Sequence, residues 1–315
     1  MIEETKEPWT ALMNHTNKQR MYPFRSRLVK LLNESRQAHL FFHLRIRHLA
    51  IDFLSSEAND KVSTIQSSVS STIEILKHCP NIEQLDILYD ASFSSFDSHL
   101  FSSSVAHLGR YIQYNNTCHI KRLDLVGYNP MQRCPCCAGK VWDAYLSPLL
   151  RSLHHLQVLV LQYVLPSSQV FEALAHSTQL VKIVFYKSII SLPVRREKQS
   201  NYIRSRRTTI SQVPDALWKR VKSIEIYEDI DECASWHTHR YLLELAGHVG
   251  YGLESFVLHF GTKEENERRL GCLETEQKTC HHFNFSQTSP LLKLKTKCGE
   301  SLRRISLVNV PEVLL

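Results

Sequence analysis

Four consecutive positions carry the sharpest chemistry in the chain: Cys134-Pro135-Cys136-Cys137. The C-x-x-C pair Cys134 and Cys137 can place two thiolates on one zinc ion. A closed zinc site needs four ligands. Cys118, Cys136, His119, His154 and His155 are the nearby candidates, and none of them makes a second pair with knuckle spacing. A redox role would want a thioredoxin-like βαβ context, which the pattern lacks. The plainer reading is a cysteine-rich surface loop, so no metal is expected. Cys272, Cys280, His281 and His282 form a looser cluster whose spacing matches no established metal site.

Charge gives the next candidates. Arg195-Arg196-Glu197-Lys198 and Arg204-Ser205-Arg206-Arg207 put six basic residues and one acid into a short stretch. Arg195, Arg196, Arg204, Arg206 and Arg207 can bind an acidic partner or serve as a nuclear import signal. They can equally be a solvated loop. The run Glu225, Glu228, Asp229, Asp231 and Glu232 follows. If the two stretches face each other in adjacent loops, their fields cancel. Catalytic signatures are missing: the chain has no G-x-S-x-G, no H-E-x-x-H and neither glycine-rich nucleotide loop. His154-His155 and His281-His282 stand without partners of a catalytic kind. The expectation is a non-enzyme without cofactor.

The bulk properties fit that expectation. The chain has 315 residues, 43% hydrophobic and 22% charged, a globular composition long enough for two domains or one solenoid. The net charge of +7 is mildly basic and makes nucleic acid an unlikely partner on its own. No run reaches ~18 apolar residues, so no membrane span is expected. The opening Met1–Glu7 is polar and acidic, unlike a secretory signal. Nine cysteines without a regular framework suit a reducing compartment, cytoplasm or nucleus.

The elements that must position any site follow one phrase: apolar, two variable, apolar, one variable, apolar. It occurs eight times, at Ile46-Leu49-Ile51, Ile82-Leu85-Ile87, Ile120-Leu123-Leu125, Leu156-Leu159-Leu161, Leu180-Ile183-Phe185, Val221-Ile224-Ile226, Leu253-Phe256-Leu258 and Leu302-Ile305-Leu307. Self-similarity at periods of about 20–50 residues means stacked units. Each phrase fits a short strand with apolar side chains pointing inward. Helical patterns precede the strands, as in Thr64–His78, where Ile65, Val69, Ile73 and Leu76 share one face. Others are expected over 25–40, 105–114, 141–153, 170–174, 214–220, 241–249 and 291–297. Cys79-Pro80-Asn81 and Cys298-Gly299 stop helices before the next strand.

Successive phrases are 36, 38, 36, 24, 41, 32 and 49 residues apart. A leucine-rich repeat runs about 20–29 residues. Most units must therefore carry extra loop, at Asp90–Ser104, Gly127–Lys140, Ile189–Gln212 and Gly261–Ser289. Insertions of this kind gather on one face of a solenoid, often the binding face. The expected fold is α/β, a horseshoe-like leucine-rich-repeat solenoid with parallel strands inside and helices outside. A doubly wound α/β domain is the alternative that the same alternation allows.

Leu76–Ile87 (LKHCPNIEQLDI), Cys118–Leu125 (CHIKRLDL), His154–Leu161 (HHLQVLVL) and Cys298–Leu307 (CGESLRRISL) resemble the cysteine-containing leucine-rich repeats of F-box proteins. The irregular lengths and the opening RSRLVKLLNESRQAHLFFHLRIRHLAID are similar to fungal members. The resemblance spans roughly residues 24 to 310. It implies a repeat domain over 24–315 that receives the substrate of a cullin-RING ubiquitin ligase. It also implies an F-box that docks on the ligase adaptor. The chain departs there, because the residues before Phe24 lack the usual Leu-Pro opening, and Lys6–Leu12 corresponds at most to its tail. Residues 1–23 are expected to be poorly ordered or an F-box remnant, and the alternative is a free-standing interaction scaffold. The chain ends at Leu315 soon after the last strand without a clear capping unit. A stack end left open exposes apolar edges, so the expectation is either a fragment or a cap that is not recognisable in the sequence.

Overall fold

The computed structural model describes residues 46–53, 61–90, 95–115, 119–128, 147–162, 172–186, 215–229, 252–261 and 289–311, together with Leu314 and helical residues 238–239, 242–243 and 245–246. Eight strands form a single sheet in the order β1-β2-β3-β4-β5-β6-β7-β8, and every neighbouring pair is parallel. They are β1 His48–Phe53, β2 Gln84–Asp90, β3 Arg122–Tyr128, β4 Val158–Gln162, β5 Lys182–Tyr186, β6 Ser223–Asp229, β7 Ser255–Gly261 and β8 Arg304–Val308. The helices with described limits are α1 Lys61–His78, α2 Ser95–Tyr114, α3 Ser147–Ser152, α4 Asp215–Trp218 and α5 Pro290–Cys298.

The phrase of the sequence sets the register. Leu49, Leu85, Leu123, Leu159, Ile183, Ile224, Phe256 and Ile305 lie side by side as Cα partners across all seven pairs. Ile51, Ile87, Leu125, Leu161, Phe185, Ile226, Leu258 and Leu307 form the next row. From β2 to β7 both rows are fully buried. Each such side chain contributes about 1.5–3 kcal/mol of transfer free energy. A slip of one residue would turn the whole set outward, so the register is strongly specified. One backbone device repeats at every strand entry. The carbonyls of Arg47, Glu83, Lys121, Gln157, Val181, Lys222 and Glu254 each accept two N–H groups from the next unit, at 2.7–3.0 Å.

The other strand face is not packed in this way. Its residues, such as Gln84, Asp86, Val158, Val160 and Tyr186, are half-buried and alternate with the buried ones. In a doubly wound sheet helices cover both faces and the strand order reverses at a switch point. Among the described residues strand order is sequential, and the buried rows lie on one face of the sheet, with Val257 of β7 also buried on the other. The sheet is a single-wound, solenoid-like stack.

Local reasons for the helices are visible. In α1, Val69, Thr72, Ile73, Leu76 and, beside them, Ile75 are buried. Ser289 caps α5 by accepting the Leu292 N–H at 3.2 Å, Pro290 stands at its start, and Gly299 closes it at φ 54°. The expected insertion Asp90–Ser104 is corrected: from Ser95 onward it is the first half of α2. Serine-rich composition reads as loop, but Val105, Leu108 and Ile112 anchor the helix to the core and override propensity. The expected helices at 25–40 and the F-box remnant at 1–23 lie outside the described residues.

Candidate recognition face

The open face of the sheet is built by the variable positions of the phrase. One row in register runs His48, Gln84, Arg122, Val158, Lys182, Ser223, Ser255, Arg304. The next runs Ala50, Asp86, Asp124, Val160, Val184, Glu225, Val257, Ser306. A third places Gln162, Tyr186, Tyr227 and His259 on neighbouring strands. Three zones result.

Over β1–β3 the face is polar. His48 Nε2 lies 2.7 Å from Asp86 Oδ2, and Gln84 donates to Asp86 Oδ1 at 3.0 Å. Arg122 donates through Nε and one Nη to both oxygens of Asp124, at 2.7 Å each. The hydrogen bond to Asp86 raises the His48 pKa, with burial opposing it. Burial raises the Asp124 pKa above the ordinary carboxylate value, although Arg122 pulls the other way. These carboxylates expose only 13% and 15% of their side chains, so they are held rather than free to swing.

Over β4 and β5 the face is apolar, formed by the half-buried Val158, Val160 and Val184. Over β5–β7 it is aromatic. Tyr186 and Tyr227 have ring centroids 6.3 Å apart, and Tyr227 and His259 are 5.7 Å apart. Glu225 is held by Lys182 at 2.7 Å and accepts from the Tyr227 hydroxyl at 3.3 Å. A face of paired charges, then valines, then aromatic rings with polar tips can bind an extended chain or a protein surface. Aromatic side chains supply contact area at low entropic cost, and the ordered charges fix register.

The residues singled out from sequence fare differently. Cys134 and Cys137 lie outside the described residues, as do Cys118, Cys136, Cys272, Cys280, His281 and His282. Arg195, Arg196, Arg204, Arg206 and Arg207 lie outside them as well. His119 and His155 are described: both are exposed and meet edge to face at 4.9 Å. Among the described residues no group of three or more His, Cys, Asp or Glu is placed to hold a metal ion. The acidic run needs a correction. Glu225, Glu228 and Asp229 belong to β6, and strand alternation splits them, with Glu225 on the open face and Glu228 buried on the other side. These three therefore do not form one acidic loop; Asp231 and Glu232 lie outside the described residues. Sequence reasoning missed the polar and aromatic zones. Their signal was present in the variable columns of the aligned phrases, which carry Asp86, Asp124, Tyr186 and Tyr227.

Among the described residues no helix is long and apolar enough to cross a membrane. No family model matches the chain, and no curated protein matches it.

Proposed function

We propose that the chain is a leucine-rich-repeat solenoid, with its parallel strands on a concave face, and that it works as a protein–protein interaction module. The supporting observation is the open strand face, which runs over eight strands and is largely half-buried or exposed, while both rows of the opposite face are fully buried from β2 to β7. Its division into polar, apolar and aromatic zones is what a protein partner of mixed character requires. Function then lies in recognition and needs no enzyme chemistry and no cofactor.

The repeat phrases and their Cys-Pro-Asn and Cys-Gly turns favour the substrate-receptor role of an F-box-type ubiquitin ligase, in cytoplasm or nucleus. The second reading is a free-standing scaffold with no ligase role. Affinity capture of the tagged full chain, read by quantitative mass spectrometry, tests both. The expected result is a reproducible protein partner whose recovery falls at least tenfold when Tyr186 and Tyr227 are both replaced by alanine, since buried tyrosines carry interface energy. Recovery unchanged by that double variant but abolished by neutralising Arg195, Arg196, Arg204, Arg206 and Arg207 would move recognition to the basic insertion. Repeated capture without the ligase adaptor removes the ligase reading and leaves the scaffold.

A further inference from the structure

The end of the sheet at β8 differs from every unit before it. Ile305 and Leu307 occupy the rows in which Phe256, Leu258 and their counterparts back to Leu85 are fully buried, yet they are 45% and 41% exposed. At the opposite end Leu49 and Ile51 are buried. Val308 and, on α5, Leu292 add further exposed apolar surface. After β8, Asn309 donates to the Phe260 carbonyl at 3.2 Å, and Leu314 is buried. Among the described strands β8 is bonded to β7 alone, so alternate backbone groups of its outer edge point away from the sheet.

Charge says what can cover this edge. Lys293, Lys295 and Lys297 on α5 and Arg303 and Arg304 at the start of β8 are all exposed, and Glu300 is the one acid in the segment 289–311. Arg303 lies close enough to Glu254 to help lower its pKa, but that carboxylate is already taken by Lys222 at 2.9 Å. A second copy would bring the same cations to the same edge and be repelled. We propose that the outer edge of β8 is a strand-addition site for an extended partner segment that alternates apolar and acidic residues. The apolar side chains continue the rows of Ile305 and Leu307, the acidic ones meet Arg303, Arg304 and the α5 lysines, and the backbone completes the ladder. The edge shares Arg304 and Val308 with the open face, but Ile305 and Leu307 lie in the inward rows. Loss of peptide binding in I305N/L307N with the open face unaltered therefore separates this proposal from the receptor reading, on which it does not rest.

The test uses the full chain and a fluorescent peptide of about eight residues alternating isoleucine and glutamate, long enough for one strand. Controls are the same peptide with lysine for glutamate and a version N-methylated at alternate amides, which cannot build the ladder. The glutamate peptide is expected to bind and to slow hydrogen exchange in β8. Its affinity is expected to fall at least tenfold for R303E/R304E and for I305N/L307N, each checked for folding by circular dichroism, and to weaken with salt. Equal binding of either control peptide, unchanged affinity in both variants, or protection mapped elsewhere would overturn the proposal. So would concentration-dependent dimers that protect β8 without peptide, which would assign the edge to a second copy.

Discussion

His48 and Asp86 join β1 to β2 across the open face, and their pairing gives the first pH-dependent contact of the stack. The folded pKa of His48 lies above the ordinary 6.5, so the stability it contributes is full below that value and is lost as pH rises through the folded pKa. Asp124 has a raised pKa, so its ionised form costs stability above the ordinary 3.8, and that cost is relieved on acidification. The His48 sign makes the β1–β3 end firmer as pH falls from neutral, and the Asp124 sign acts only on further acidification toward the ordinary carboxylate value. His48 is 39% exposed, so screening holds its share below about 1 kcal/mol. Thermal unfolding of the wild type is expected to lose more stability between about pH 6 and pH 8 than His48→Gln does; parallel curves would remove His48 as the source. A second residue-scale outcome concerns thiols. Burial pushes the Cys79 thiol up to about 11 and also raises that of Cys298. Neither is appreciably a thiolate at neutral pH. Peptide-mapped alkylation is expected to spare both in the native protein and to modify both in denaturant. Rapid native labelling of Cys79 would contradict its buried place under the Ile75 carbonyl, to which its N–H donates at 2.9 Å. Cys79 was legible as part of a turn from its neighbours Pro80 and Asn81, whereas the His48–Asp86 pair was not, because the two residues are 38 positions apart and meet only once register is known.

At the scale of elements, strands were legible and helix limits were not. The three-beat phrase names its own inward side chains, and the sheet places them in register without a slip. Helix α2 shows where the reading failed. Its N-terminal half is rich in serine and phenylalanine, which carries no propensity signal, and only packing against the neighbouring units decides its conformation. That packing is close at Gly109. A Cβ there would stand 3.0 Å from Leu149 Cα and 3.0 Å from the Pro148 carbonyl oxygen, both backbone atoms of α3. Backbone cannot step aside as a side-chain tip can. Alanine at position 109 gains about 1 kcal/mol of helix propensity and costs about 1–3 kcal/mol by overpacking. The net expectation for Gly109→Ala is a lower urea midpoint. Gln113→Ala, on the exposed side of the same helix, is expected to leave the midpoint within about 0.5 kcal/mol of wild type. A stabilised Gly109→Ala would show that α2 and α3 sit farther apart than this contact requires.

The described strands follow one another in a single line, and on the proposed solenoid reading that order governs how a local defect spreads. Each strand touches the one before and the one after, and α1 packs on α2 and α2 on α3. Stability is then a sum of unit terms and nearest-neighbour interfaces, so the position of a mutation along the stack matters as much as its burial. Leu159 and Leu307 are the same kind of residue in the inward rows, fully buried in β4 and 41% exposed in β8. Leu159→Ala removes two interfaces' worth of contact and is expected to cost about 2–5 kcal/mol. Leu307→Ala, with one neighbour and partial exposure, is expected to cost less than about 1 kcal/mol, the range of half-exposed substitutions. Hydrogen exchange read by mass spectrometry separates the two. With Leu159→Ala, protection is expected to fall first in β3–β5 and the two flanking blocks to open at different denaturant concentrations. With Leu307→Ala, the loss is expected to stay in β8 and α5, the units next to the exposed edge. A globular core would respond to either change as a single cooperative unit, so uniform loss of protection across all eight strands in the Leu159→Ala variant would sink the stacked description and with it the assignment of the open face as a continuous recognition surface.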